Sequence, residues 1–162
     1  SLVGSEMCIR DRNYMVVANH PLATRAGCDI LKAGGSAVDA AVAVQVVLGL
    51  VEPQSSGLGG GAFMLHYDAK TKKVQAYDGR EMAPAAATEN YLRYIDDVSD
   101  KNPPQPTSRL RASGRSIGTP GAVRMLDIAY KDHGKLPWKD LFGYGITLAS
   151  DCLLYTSPSP RD

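Results

Sequence analysis

The run from Pro53 to Pro84, PQSSGLGGGAFMLHYDAKTKKVQAYDGREMAP, constrains this chain more than any other stretch. Gly57, Gly59, Gly60 and Gly61 crowd into five positions. Without a Cβ, such residues let backbone approach backbone, or a ligand, closely. Alternation over Ala62 to Tyr67 and again over Lys73 to Tyr77 predicts two strands. The segment between them, Asp68 to Lys72, predicts a hairpin turn with an exposed basic tip. The hairpin runs out at Asp78-Gly79-Arg80-Glu81. A guanidinium there can hold a carboxylate through two parallel charge-assisted hydrogen bonds. It can equally pair with Asp78 or Glu81 beside it. From the residues alone both readings stand, as do packing and ligand roles for the glycines.

Gly57 to Ala62 fits the letters of the dinucleotide fingerprint G-x-G-x-x-A, in the wrong context. A helical pattern precedes it and a strand pattern follows, whereas the fingerprint requires strand, turn, helix. The Lys and Ser/Thr of a phosphate-binding loop are also missing.

Upstream, Tyr14 to Ala18 is a short apolar run that predicts a buried strand. Asn19-His20-Pro21 marks a helix start with proline near the first position. Leu22, Ala26, Ile30 and Leu31 keep helical spacing until Gly34-Gly35 ends it. His20 is a capping or surface residue before it is a ligand or base, because no partner motif adjoins it. Ser36-Ala37-Val38-Asp39 has the form of a capping box with Asp in place of Glu. The helix behind it, apolar nearly all round and terminated by Pro53, predicts burial between layers and implies a partner sheet.

Downstream, Thr88 predicts the cap of a short helix through about Tyr94. Asp96 to Ile117 is polar, proline-rich and loop-like. Arg109, Arg111 and Arg115 there can attract anions, although a solvated loop is the simpler reading. Thr119-Pro120-Gly121 predicts a further helix capped by Thr119 and stopped by Gly134. Pro137-Trp138 opens a last apolar segment ending near Ala149. Strands alternating with helices indicate an α/β or α+β layered fold.

The two ends stand apart. One DNA segment, read on opposite strands, encodes both Leu2 to Asp11 and Cys152 to Arg161 and begins the codon for Asp162, and it resembles a transposon-type sequencing-library adapter. Residues 1–12 and 152–162 are therefore expected to be non-native, leaving 13–151 as the protein proper. Removing the three basic and three acidic end residues from the 18 and 17 of the whole chain leaves 15 and 14, no electrostatic basis for nucleic-acid binding. Of three cysteines only Cys28 lies outside the ends, where it is expected to be an unpaired core residue. The sequence offers no Ser-His-Asp arrangement, no metal-spaced His/Glu pair and no working carboxylate pair.

The runs AGCDILKAGGSAVDAAVAV, EPQSSGLGGGAFML, DGREMAPAAAT and GTPGAVRMLDIAYKDHGKLPW are long, collinear and specific. Together they resemble the N-terminal part of the large subunit of γ-glutamyltransferases (glutathione hydrolases), over essentially all of residues 14–151. The resemblance implies a fragment of a four-layer αββα sandwich of the N-terminal-nucleophile hydrolase type. It implies a precursor that cleaves itself. The N-terminal threonine of the small subunit would attack the γ-glutamyl amide and pass the acyl group to water, an amino acid or a peptide. It further implies that Arg80 binds the α-carboxylate of glutathione and other γ-glutamyl compounds. The partner is the small subunit of the same precursor, no cofactor or metal is involved, and the location is periplasmic, extracellular or membrane-anchored facing outside. The nucleophile would lie beyond this chain, and none of Thr24, Thr71, Thr88, Thr107, Thr119 or Thr147 takes its place. Tyr144-Gly145 departs from the Pro-Ala common in the family. Two rival readings are an acylase-type hydrolase of the same class and a non-catalytic binding domain.

Overall fold

The computed structural model describes residues 13–89, 91–92 and 114–151. They form four α-helices, two strands and two short 3-10 turns. The helices are α1 (Pro21–Lys32), α2 (Ala37–Val51), α3 (Ala122–His133) and α4 (Gly143–Ser150). The strands are β1 (Ala62–Asp68) and β2 (Lys73–Gly79), and the 3-10 turns are Gly114–Ser116 and Trp138–Phe142. The class is α+β, with a two-stranded sheet among the described residues.

α2 is the axis. Its capping box forms as the sequence predicts: Asp39 N–H donates to Ser36 Oγ at 3.1 Å, and Ser36 N–H donates to Asp39 Oδ2 at 2.8 Å. Such a cap satisfies two donors that a helix start otherwise leaves unpaired. Two apolar clusters then flank the helix. Ala43 and Val47 meet Ala23 and Ala26 of α1, while Val42 meets Met125, Leu126 and Leu141. α2 is therefore enclosed chiefly by helices, and the hairpin adds only Ala62, Met64 and Tyr77 to the second cluster. Among the described residues α2 is covered chiefly by α1, α3 and α4, where small alanines let helix backbones close in. Gly145 serves the same end: a Cβ on it would lie 2.5 Å from Val46 Cγ1, so α4 could not lie as close with alanine there.

α1 begins and ends as expected. His20 Nδ1 accepts from Leu22 N–H at 3.2 Å, which makes His20 a cap, and Pro21 opens the helix. The chain leaves it through Gly34 at φ +89°, a region open to glycine. Cys28 is buried on this helix and is disulfide-bonded. That corrects the expectation of an unpaired cysteine.

Three further expectations give way. Tyr14 to Ala18 forms no strand. No neighbouring strand is hydrogen-bonded to it among the described residues, and Met15 and Val17 face outward. Around Thr88 there is only a turn, closed by Tyr91 N–H to Thr88 C=O at 3.0 Å, and the rest of the expected helix lies largely outside the described residues. Thr119 does not cap α3. Its backbone pairs with Met82 in an isolated bridge, so the helix starts three residues later, at Ala122.

Candidate functional site

The hairpin is in the predicted place, with register Phe63↔Asp78, Leu65↔Ala76 and Tyr67↔Val74. Its tip is set by Asp68, whose side-chain oxygens accept from Lys70 N–H at 2.9 Å and Thr71 Oγ1–H at 2.7 Å. The hydroxyl contact from Thr71 is the main reason its carboxyl lies below the usual range. One face of the hairpin packs on α3, where the Tyr77 hydroxyl donates to Asp132 Oδ2 at 2.8 Å. Burial, and then that bond, push the Tyr77 phenol up to about 12.

At the end of β2 the chain turns sharply, because Asp78 Oδ1 accepts from the backbone N–H of Arg80 at 2.8 Å. An Asx contact of this kind fixes backbone direction, and it leaves Asp78 in a positioning role. Arg80 Nε lies 3.6 Å from Glu81 Oε2, with the arginine side chain 71 % exposed. So the flank of the guanidinium is paired with Glu81. An exposed pair at this separation contributes little stability.

Glu81 is itself held by the glycine turn. A Cβ on Gly61 would run into the Glu81 carboxylate and come within 2.9 Å of its backbone nitrogen; one on Gly118 would lie 2.7 Å from Glu81 Cβ. The turn has a second task. The carbonyl of Gly60 accepts from the N–H groups of Gly121 at 3.2 Å and Ala122 at 3.0 Å. That backbone oxygen does the work expected of Thr119, because α3 has no side-chain cap. Gly57 and Gly59, by contrast, would meet nothing within 4 Å. Packing accounts for Gly61, whereas a Cβ on Gly60 would make only ordinary contacts at 3.7 Å.

Around Arg80 opens a cavity of about 460 Å³. Its wall includes Gly59, Arg80 and Glu81 from one side and Arg115, Ser116 and Ile117 from the other. The two sides meet because Thr119 N–H donates to Met82 C=O at 2.8 Å and Met82 N–H donates back at 3.3 Å. Residues 35 positions apart thereby share one pocket. Arg115, read from the sequence as part of a solvated loop, sits on the short 3-10 turn with its Cζ 6.0 Å from the centre of the Tyr91 ring. Arg109 and Arg111 lie outside the described residues. The pairing of Arg80 with Glu81 is one of the two readings the sequence left open, whereas the capping role of Gly60 was not read from the sequence. Nothing local signals that carbonyl cap.

The threonines have structural places. Thr24 is buried on α1, Thr71 closes the hairpin tip, and Thr119 is in the bridge. Among the described residues no group of three His, Cys, Asp or Glu is gathered as metal ligands. No helix there is long and apolar enough to cross a membrane.

Comparison with known proteins accords with this architecture. The family described as Gamma-glutamyltranspeptidase matches residues 23–155. The chain belongs to that family, as the sequence motifs imply. It is 42 % identical over 138 residues to the glutathione hydrolase proenzyme of Bacillus subtilis, covering 85 % of this chain and 23 % of that protein. It superimposes on the crystal structure of Helicobacter pylori gamma-glutamyltranspeptidase with a TM-score of 0.71 at 33 % identity, over 83 % of this chain and 37 % of that one. A cephalosporin acylase from Bacillus halodurans is also similar, with TM-score 0.63, 31 % identity and coverage of 82 % and 23 %. The chain thus spans about a quarter of the length of the bacterial proenzyme it matches.

Proposed function

We propose that this chain is the N-terminal part of the large subunit of a γ-glutamyltransferase that cleaves γ-glutamyl amides such as glutathione, with Arg80 gripping the α-carboxylate of the glutamyl group. The observation that carries this is the placement of Arg80: a hairpin end directs it, Glu81 pairs with one flank, and the cavity opens beside it. A carboxylate bound there gains two charge-assisted hydrogen bonds, each worth about 1.5–3 kcal/mol when water is excluded. The nucleophile is a threonine at the start of a small subunit cut from the same precursor, with its own amine as base. The acyl-enzyme is resolved by water or by an acceptor amine. The segment alone carries no nucleophile and is inactive.

In the same reading the hairpin is the edge of a four-layer αββα sandwich. Phe63, Leu65 and Val74 on its outer face are the surface that further strands cover. Residues 1–12 and 152–162 are adapter translation, a point that genomic sequence at those positions decides. The whole protein acts outside the cytoplasm.

In the complete gene product, Arg80→Ala lowers kcat/KM for a γ-glutamyl substrate by roughly 100-fold or more, and Arg80→Lys recovers only part of it. An unchanged kcat/KM refutes the carboxylate role. The similarity to a cephalosporin acylase favours a second reading, an acylase of the same class acting on another amide. Turnover of a β-lactam side-chain amide in preference to γ-glutamyl substrates would select it.

A further inference from the structure

Away from the Arg80 cavity, two histidines from different elements lie face to face. His66 of β1 and His133, the last residue of α3, stack with ring centres 3.8 Å apart and planes 20° from parallel. Polar contacts between hairpin and helix gather around them. Gln75, the cross-strand partner of His66, has its Oε1 2.8 Å from His133 Nε2. Tyr77 meets the His133 ring edge-on at 6.3 Å and donates to Asp132. Nearer Arg80 the contact is apolar. Ala62 and Met64 pack in the cluster of Met125, and a Cβ on Gly79 would lie 2.6 Å from Met125 Cβ. The hairpin is thus docked on α3 by a dry half and a polar half.

The two rings are not equivalent toward a proton. As an imidazolium His133 still donates to Gln75, and it stands at the C-terminal end of a helix, where a cation is favoured. His66 has no such outlet. Its Nδ1 is buried without a hydrogen-bond partner among the described residues. In an imidazolium both ring nitrogens carry N–H, so that buried donor would lack an acceptor. Two charged rings in face-to-face contact would also repel. The surrounding charges are engaged elsewhere. Lys131 is paired with Asp127, and Asp132 accepts from Tyr77. Asp68 attracts a cation at His66 only weakly, and its oxygens are held by Lys70 N–H and Thr71. We propose that the His66–His133 stack is a pH-sensitive latch that docks the polar half of the hairpin on α3 and releases it when both rings are protonated. The docked rings take up fewer protons than separated ones, so docking weakens as pH falls through the range where histidine titrates. The dry half beside Met125, which leads to Arg80, stays in place.

The test is amide hydrogen exchange, read by mass spectrometry on the complete gene product, with peptides from α2 as internal reference. From about pH 7.5 to about pH 5.5, exchange over residues 65–77, corrected for the intrinsic effect of pH, is expected to rise roughly 10-fold in the unsubstituted protein. His66→Phe and His133→Phe each keep a stacked ring but cannot carry the second charge. Each is expected to change less than about 2-fold over the same range. Two variants are used so that one that misfolds leaves the other to decide. Exchange in the unsubstituted protein that ignores pH overturns the latch. So do variants that respond as strongly as the unsubstituted protein, or an equal response in α2.

Discussion

The side-chain oxygen Oδ2 of Asp39 accepts a hydrogen bond from the backbone N–H of Lys135, 3.0 Å away and 96 positions later in the chain. The same oxygen accepts from Leu136 N–H at 3.2 Å and from Ser36 N–H at 2.8 Å. Asp39 is fully buried. One side chain therefore starts α2 and also ties down the loop that follows α3.

Removing it does more than remove a cap. Asp39→Ala forfeits the capping box, worth about 1 kcal/mol. It also strands the loop donors, at about 1–3 kcal/mol for each that water does not reach. The expected loss is about 3–5 kcal/mol in urea unfolding of the complete gene product. Asp39→Asn keeps an acceptor oxygen and is expected to lose less than half of that. A loss under about 1 kcal/mol for the alanine variant would show that the loop is held by something else.

The glycine turn separates into residues that matter and residues that do not. Gly61→Ala places a methyl against the Glu81 carboxylate and 2.9 Å from its backbone nitrogen, so both Glu81 and the Arg80 turn must shift. The expected cost is about 1–3 kcal/mol, together with a raised KM for γ-glutamyl substrate. Gly59→Ala meets nothing within 4 Å and is expected to be neutral within about 0.5 kcal/mol. Comparing the thermal midpoints and KM values of the two variants decides the matter. Equal effects would contradict the packing account.

Much of this was legible in the sequence because it is local. The capping box at Ser36, the proline start at Pro21, the glycine exit at Gly34 and the strand alternation all act over a few residues. What was not legible is non-local. Thr119 has the right chemistry for a helix cap, yet its backbone is engaged by Met82, and a carbonyl from Gly60 takes over. Tyr14 to Ala18 has strand composition, but a strand also needs a neighbour to pair with. α2 reads as a helix between layers, and the nature of those layers depends on which elements fold back. Arg80 was marked by its neighbours Asp78 and Glu81. Arg115 has no such mark, and the Met82–Thr119 bridge brings it, 35 positions after Arg80, to the same cavity.

Tyr77 gives the hairpin a pH limit. Burial and the bond to Asp132 raise its phenol from the ordinary 10 to about 12 in the folded chain. A raised pKa means that the fold favours the neutral form. This contribution is fully present below pH 10 and is lost as pH rises through about 12. Phenolate absorbance is expected to show one tyrosine titrating late, and Tyr77→Phe removes that step. The variant is also expected to lose about 0.5–1.5 kcal/mol at neutral pH, with less dependence on alkali. A titration without a late tyrosine would discount the Asp132 bond.

The outer face of the hairpin is the last test. Phe63 is 67 % exposed, Leu65 76 % and Val74 64 %, and the register places them on one side with Ala76 and Tyr67. Contiguous apolar surface of this kind seldom stays in water on an isolated domain, and an unpaired hairpin edge invites association. Expressed alone, residues 13–151 are expected to bind an environment-sensitive apolar dye and to self-associate in sedimentation. The double substitution Phe63→Lys with Leu65→Lys is expected to cut the dye signal several-fold and return the segment to a monomer, with its helical circular dichroism preserved. In the complete gene product the same pair is expected to cost about 2–5 kcal/mol, because there the face is covered and the lysines must be buried or expelled. A segment that is monomeric and silent to the dye without the substitutions would overturn the view that this face awaits more of the sheet.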